Sequence, residues 1–232
     1  MNPPATPDRL PDEGTASAPA RRTAAGRLNE REIVAAALRI AGKAGFGGLS
    51  MRGLADELGV TPMAIYYHVR HKKALLELVA DSLLADIRLP GRDAGDWMAR
   101  LRMLHEESTR VLGPYPGADA MMIDLGLTRQ GRRLMDAYIQ ILLDAGFDER
   151  GALLAYNVLH SYGVGRVTIE SRLRGRPRRA AVSEGDFPAL DRIRDAVPGL
   201  RAGDYRTFGY EAILQGLGDL LEARRPNVSE IR

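Results

Sequence analysis

Between Ser50 and Lys73 the chain reads SMRGLADELGVTPMAIYYHVRHKK, and this stretch constrains the fold more than any other. Ser50 is placed to cap a helix that carries Leu54, Ala55 and Leu58 and closes at Gly59. Thr61 caps a second, short helix over about 62–68, with Pro62 at its first position, where a missing N–H costs nothing. Gly59 supplies a turn that β-carbon sterics discourage in other residues. Ala55 is small where two helices would cross, and Leu54, Leu58, Val60 and Ile65 fill the wedge between them. This small–glycine–aliphatic spacing is what a helix-turn-helix needs. An ordinary helical hairpin would explain the apolar residues, but not the aromatic and basic set that follows them.

That set is Tyr66, Tyr67, His68, Arg70, His71, Lys72 and Lys73. The N-terminal residues of a recognition helix point at base edges, which puts Thr61, Pro62, Met63 and Ala64 in reading positions. Pro62, Met63 and Ala64 suit thymine methyl groups. Tyr66, His68 and Lys72 have the length and donors to hold phosphates. Arg52, at the start of the preceding helix, can reach a guanine edge with a bidentate pair.

The flanking sequence is helical throughout. Ile33, Val34, Ala37, Leu38, Ala41 and Ala44 recur at three- and four-residue spacing after Asn29, which forms a capping box with Glu32 and leads to a stop at Gly45. A fourth helix is predicted from about Lys72 to Arg88, before Pro90. Further helices are predicted over Asp96–Leu112, Thr128–Ala145, Glu149–Leu173, Pro188–Ala196 and Tyr205–Arg224. No segment alternates like a strand, so the fold class is all-α. Residues 113–120 read as irregular and 174–186 as a loop.

Composition excludes more than it proves. There is no cysteine, which removes disulfides, thiolate metal sites and cysteine nucleophiles. No apolar run approaches about 18 residues, so no membrane partner is expected and the compartment reads as cytoplasmic. The formal charge of +3 is weak evidence for a nucleic-acid partner despite a pI near 9.3. Placement says more: of the lysines Lys43, Lys72 and Lys73, two directly follow the recognition helix. Residues 1–28, rich in Pro, Ala, Thr and Arg, read as a disordered arm that either stays solvated or touches DNA through Arg21, Arg22 and Arg27. The arginine run at 172–179 has the same two readings.

These motifs resemble the tetracycline repressor family. The DNA-binding part is carried by LSMRGLADELGV, TPMAIYYHV and KKALLELVAD. The C-terminal part is carried by Trp97 within GDWMARLR, the AGF turn at 145–147, LLAYNVLHSYGVG at 153–165 and FGYEAILQGLGDLLEA at 208–223. The resemblance implies a DNA-contact set of Ser50, Arg52, Thr61, Pro62, Met63, Ala64, Tyr66, Tyr67, His68 and Lys72. It also implies a division into an arm (1–28), a helix-turn-helix domain (29–71), a linking fourth helix (72–90), a ligand-binding and dimerisation domain (91–224) and a tail (225–232). Partners would be double-stranded operator DNA, a second copy of the chain and a small-molecule effector. Met98, Leu101, Met103, Leu104 and Ser108 stand on the fifth helix where the tetracycline repressor uses polar and histidine side chains, which argues against a tetracycline–magnesium ligand.

The expected pocket is lined by Trp97, Leu101, Leu104, His105, Met121, Met122, Tyr138, Leu142, Asn157 and His160, an adaptable apolar set with a few polar groups. Leu159, Tyr162, Phe208, Ile213, Leu217 and Leu221 are expected at the dimer interface, on two helices whose glycines (Gly163, Gly165, Gly209, Gly216, Gly218) permit close approach. No metal site and no cofactor is expected, because His, Asp and Glu do not cluster at ligand spacing. Two alternatives stay open: a regulator of this fold that activates or takes no small molecule, and an enzyme. No phosphate-cradling loop or nucleophile elbow supports the enzyme.

Overall fold

A computed structural model describes residues 28–173, 187–194 and 199–223. The expectations for residues 1–27, for the arginine run beyond α8 and for the tail lie outside the described residues. The described chain is helical: α1 (Glu30–Ala44), a single 3-10 turn (Phe46–Gly48), α2 (Met51–Leu58), α3 (Pro62–His68), α4 (Lys72–Ala85), α5 (Trp97–Leu112), α6 (Ala118–Leu125), α7 (Arg129–Ala145), α8 (Glu149–Leu173), α9 (Pro188–Ile193) and α10 (Ala202–Ala223).

Local chemistry explains the ends of the first four helices. Asn29 and Glu32 form a reciprocal capping box, each backbone N–H donating to the other's side chain at 3.0 Å. The Ser50 hydroxyl accepts from the N–H of Gly53 at 3.0 Å, and the Thr61 hydroxyl accepts from Ala64 at 3.4 Å. Gly59 sits at φ 66, ψ 28, the left-handed turn its position demanded. Ile33, Ala37, Leu54, Ala55, Ile65, Leu75 and Val79 are wholly buried where α1–α4 meet. Arg39 on α1 pairs with Glu57 on α2 at 2.9 Å.

The fourth helix is shorter than its apolar pattern predicts, ending at Ala85 rather than near Arg88. The reason lies in α7. Arg133 donates to the carbonyls of Leu84 (3.5 Å) and Ile87 (3.3 Å), satisfying groups that a continuing helix would have used. The side chain of Asp81, on α4, returns the favour by accepting from the N–H of Gln130 at 2.8 Å, in the first turn of α7.

Residues 113–120 are not all irregular. They hold the start of α6, entered through Gly117 at φ 81. In the C-terminal domain α5, α7, α8 and α10 pack together. Tyr210 donates to the carbonyl of Leu101 at 3.1 Å, and Arg102 makes a two-pronged pair with Glu211 at 2.5 and 2.7 Å. Arg100 is buried and pairs with Asp144 at 3.5 Å.

Candidate functional site

The recognition face is built on α2, α3 and the start of α4. Ile65 and Val69 bury one side of α3. The other side presents Met63 (76% exposed), Tyr66 (43%) and Tyr67 (85%) to solvent. Large apolar side chains so exposed on a short helix have no structural use within the chain. Arg52, Arg70, Lys72 and Lys73 surround them and are exposed, while Pro62 and Ala64 are half-buried. Ser50 and Thr61 hold their helices through their hydroxyls, so their first task is capping.

His68, expected to hold a phosphate, is partly enclosed by its neighbours. It is half-buried, stands edge-on to Tyr67 at 5.6 Å, and its Nε2 is shielded without a hydrogen-bond partner. The neighbouring His71 has a structural role. Its Nδ1 accepts from the N–H of Ala74 at 3.1 Å and caps α4, which fixes Lys72 and Lys73 beside α3.

A cavity of 410 Å³ lies in the C-terminal domain, a size suited to a small organic molecule. Leu84 and Ile87 contribute from α4 and its end, Ser108 and Thr109 from α5, and Asp119 and Ile123 from α6. Leu134 and Met135 come from α7, and Tyr156, Gly163 and Val167 from α8. His105, Met122, Tyr138 and His160, all predicted, line it as well. The other six predicted pocket residues do not. Leu101, Leu104 and Leu142 are wholly buried packing residues, and Met121 is buried beside them in the core. Trp97 stands edge-on to Phe147 at 5.9 Å, outside the lining, and Asn157 is exposed on α8. The signal for the missed α8 residues was present in the sequence. Tyr156, Leu159, His160, Gly163 and Val167 form one stripe at helical spacing.

His105 stacks flat on Tyr210 with centroids 3.9 Å apart. Burial, with Arg206 nearby as the smaller cause, holds its pKa down at about 4. Burial also lowers His160 and pushes Tyr138 up to about 12. Among the described residues no cluster of His, Asp or Glu could hold a metal ion.

The predicted dimer set divides. Leu159, Leu217 and Leu221 are buried in the chain's own core, because Tyr210, Leu214, Leu217 and Leu221 form the inward stripe of α10. Tyr162 donates to the carbonyls of Tyr205 (2.7 Å) and Arg206 (3.2 Å), tying α8 to α10 within the subunit. Ile213 is half-buried against the same core. Phe208 alone is fully outward, at 78% exposure. Ala212 shares its face on α10, Leu220 is exposed further round the same helix, and Leu154, Val158 and Ile169 are exposed along α8. Open space lies over Gly165 and Gly216.

This architecture, a helix-turn-helix with an exposed reading face joined by one helix to a helical domain with a ligand-sized cavity, defines a DNA-binding transcriptional regulator. Comparison with known proteins agrees. The family described as "Bacterial regulatory proteins, tetR family" matches residues 33–79, and "Tetracyclin repressor-like, C-terminal domain" matches residues 89–220. The chain therefore belongs to the tetracycline repressor family of bacterial regulatory proteins. It is 31% identical over 206 residues to the tetracycline repressor protein class D of Escherichia coli, covering 84% of this chain and 88% of that protein. Among solved structures it resembles the TetR family protein ActR of Streptomyces coelicolor in complex with actinorhodin. There the TM-score is 0.71, with 24% identity over 83% of this chain and 96% of that one. It also resembles TetR of Acinetobacter baumannii AYE, with TM-score 0.69 and 23% identity over 84% of this chain and 99% of that one. Among the described residues no helix is long and apolar enough to cross a membrane.

Proposed function

We propose that the chain is a repressor that binds a palindromic operator as a homodimer and is released by a small, largely apolar ligand in the 410 Å³ cavity. One observation carries this reading: α4 belongs to both sites. Its first residues, Lys72 and Lys73, flank the recognition helix, and Leu84, at its other end, lines the cavity together with Ile87 just beyond. A rod of 14 residues is about 21 Å long, so a small tilt at the cavity end moves the reading head by a comparable amount. A ligand that fits only one tilt shifts the population toward it. The two recognition helices then lose the spacing of about 34–36 Å that successive major grooves require.

In this reading Arg52, Met63, Ala64 and Pro62 meet base edges, and Tyr66, Tyr67 and Lys72 meet the backbone. The exposed stripe of Leu154, Val158, Phe208 and Leu220 meets its two-fold mate. The domain limits follow the same division, with 29–71 as reading head, 72–90 as lever and 91–224 as cavity and dimer body.

The test is selection of random duplexes by the full-length protein, followed by gel shift with cavity-binding compounds found by thermal shift. The expected result is a palindromic site whose complex dissociates into free DNA and intact protein dimer as compound is added. A non-palindromic preference, or a complex unaffected at saturating compound, would overturn the reading.

A further inference from the structure

The cavity wall carries a single carboxylate among the described residues. Asp119, in the first turn of α6, is 7% exposed and lines the cavity. Its Oδ2 accepts from the hydroxyl of Thr168 on α8. No arginine or lysine among the described residues lines the cavity or pairs with Asp119. The two histidines of the wall, His105 and His160, do not supply a counter-charge, because burial disfavours their cationic forms. A neutral hydroxyl compensates a buried carboxylate only in part, and Oδ1 is left for a donor brought by the occupant.

We propose that the cavity selects an apolar, ring-sized molecule bearing one protonated amine, whose N–H donates to Asp119. The inference rests on the reading of this cavity as the effector site. An anionic molecule would meet the carboxylate with no cation beside it, and a neutral one would leave Oδ1 unpaired. The aromatic wall suits the same class. Tyr156 and His160 stack at 5.4 Å, and Tyr138 stands 5.9 Å from Tyr156, so ring faces are available to a flat body and to the edge of a cation. The rest of the wall is aliphatic or methionine, which accepts varied ring shapes.

The experiment compares two isosteric probes by calorimetry on the full-length protein without DNA: N,N-dimethyl-1-naphthalenemethanamine and 1-(2-methylpropyl)naphthalene. The amine is expected to bind at least about tenfold more tightly, the worth of one charge-assisted hydrogen bond. Asp119→Asn is expected to erase that preference, so that the two probes bind it with equal affinity. Met122→Lys, three residues along α6 in the same wall, keeps Asp119 but supplies an internal cation, and is expected to erase the preference too. It answers the question if the Asn variant does not fold. Equal affinities for the two probes in the wild type would overturn the amine proposal and leave the cavity's effector role standing. Binding of neither probe, or a preference that survives both substitutions, would also overturn it. Failure of release from DNA, with the amine preference intact, would count against the proposed function alone.

Discussion

The backbone N–H of Phe46 donates to the carbonyl of Pro116 at 3.0 Å, a direct bond between the helix-turn-helix domain and the C-terminal domain. The two rings beside it, Phe46 and Tyr115, lie 6.4 Å apart. Pro116 leads into Gly117, which starts α6, and Asp119 follows in the first turn. A second mechanical connection therefore runs from the cavity to the DNA-binding domain, apart from α4. It joins the helix that carries the cavity's carboxylate to the turn that precedes α2.

Gly45 makes this connection possible. It sits at φ 71, ψ 169, a region open in practice only to glycine, and a β-carbon there would lie 3.0 Å from the Pro116 carbonyl oxygen. Gly45→Ala should destabilise the fold by about 1–3 kcal/mol. Gly59→Ala is the control, at φ 66, ψ 28 with nothing within 4 Å, and should cost about 1–2 kcal/mol. Thermal unfolding of both variants checks the order. A smaller loss for Gly45→Ala than for Gly59→Ala would show that the Pro116 carbonyl gives way to the added β-carbon.

On the reading face, Lys72→Ala should weaken binding to every duplex alike and lower the salt-dependence slope by about one for each subunit. Arg52→Ala should instead relax base preference at one position of each half-site, at a cost of about 1–3 kcal/mol for the preferred sequence. Titrations at several salt concentrations against the selected operator and a scrambled duplex separate the two. His68→Ala should act through the folding of α3, since its ring is half-buried, and should lower stability as well as affinity.

Acid should destabilise the protein in two steps. His105 is held at about 4 against an ordinary 6.5, so the folded state prefers the neutral ring. Its contribution is complete above pH 6.5 and is lost as pH falls toward 4, amounting to about 3 kcal/mol. Glu107 is held at about 2 against 4.5, chiefly by the Arg110 guanidinium, so its contribution is lost only between pH 4.5 and 2. Denaturant unfolding across pH 7 to 4 should show the first loss in the wild type and much less of it in His105→Gln. An unchanged profile in that variant would assign the first step elsewhere.

The reading head was almost wholly legible because its residues declare themselves locally. Asn29, Ser50, Gly59, Thr61 and Pro62 are caps and turns whose chemistry acts over three or four positions, and the structure uses each in that way. The cavity was legible in part. His105, Met122, Tyr138 and His160 stand out as polar or soft residues on apolar helices, but nothing local separates Leu101 or Leu142 in the core from Leu134 in the wall. That choice depends on how α5 and α7 rotate against α8, which is tertiary information. Asp119 was hidden because Gly113, Pro114, Pro116 and Gly117 obscure the start of α6. The end of α4 is tertiary information as well, since Arg133, which bonds the carbonyls there, lies 46 residues beyond Ile87.

The outer face of α8 and α10 yields the sharpest contrast between neighbouring residues. On α10, Leu220 is 57% exposed and Leu221 is 7% exposed, although they adjoin in sequence. Leu221→Ala removes a core side chain and should cost about 2–5 kcal/mol of stability, with the dimer retained wherever the protein remains folded. Leu220→Arg and Phe208→Asp place charges on surface that is open in the single subunit, so the subunit's own packing is not disturbed. In a two-fold interface each such charge occurs twice and faces an apolar mate, a cost of several kcal/mol per substitution on the order of a buried unpaired ion. Sedimentation should therefore find folded monomers for Leu220→Arg and Phe208→Asp, and gel shift should find operator affinity lost with the dimer. If both variants sediment as dimers, the two-fold contact lies on another face and the exposed stripe needs a different partner.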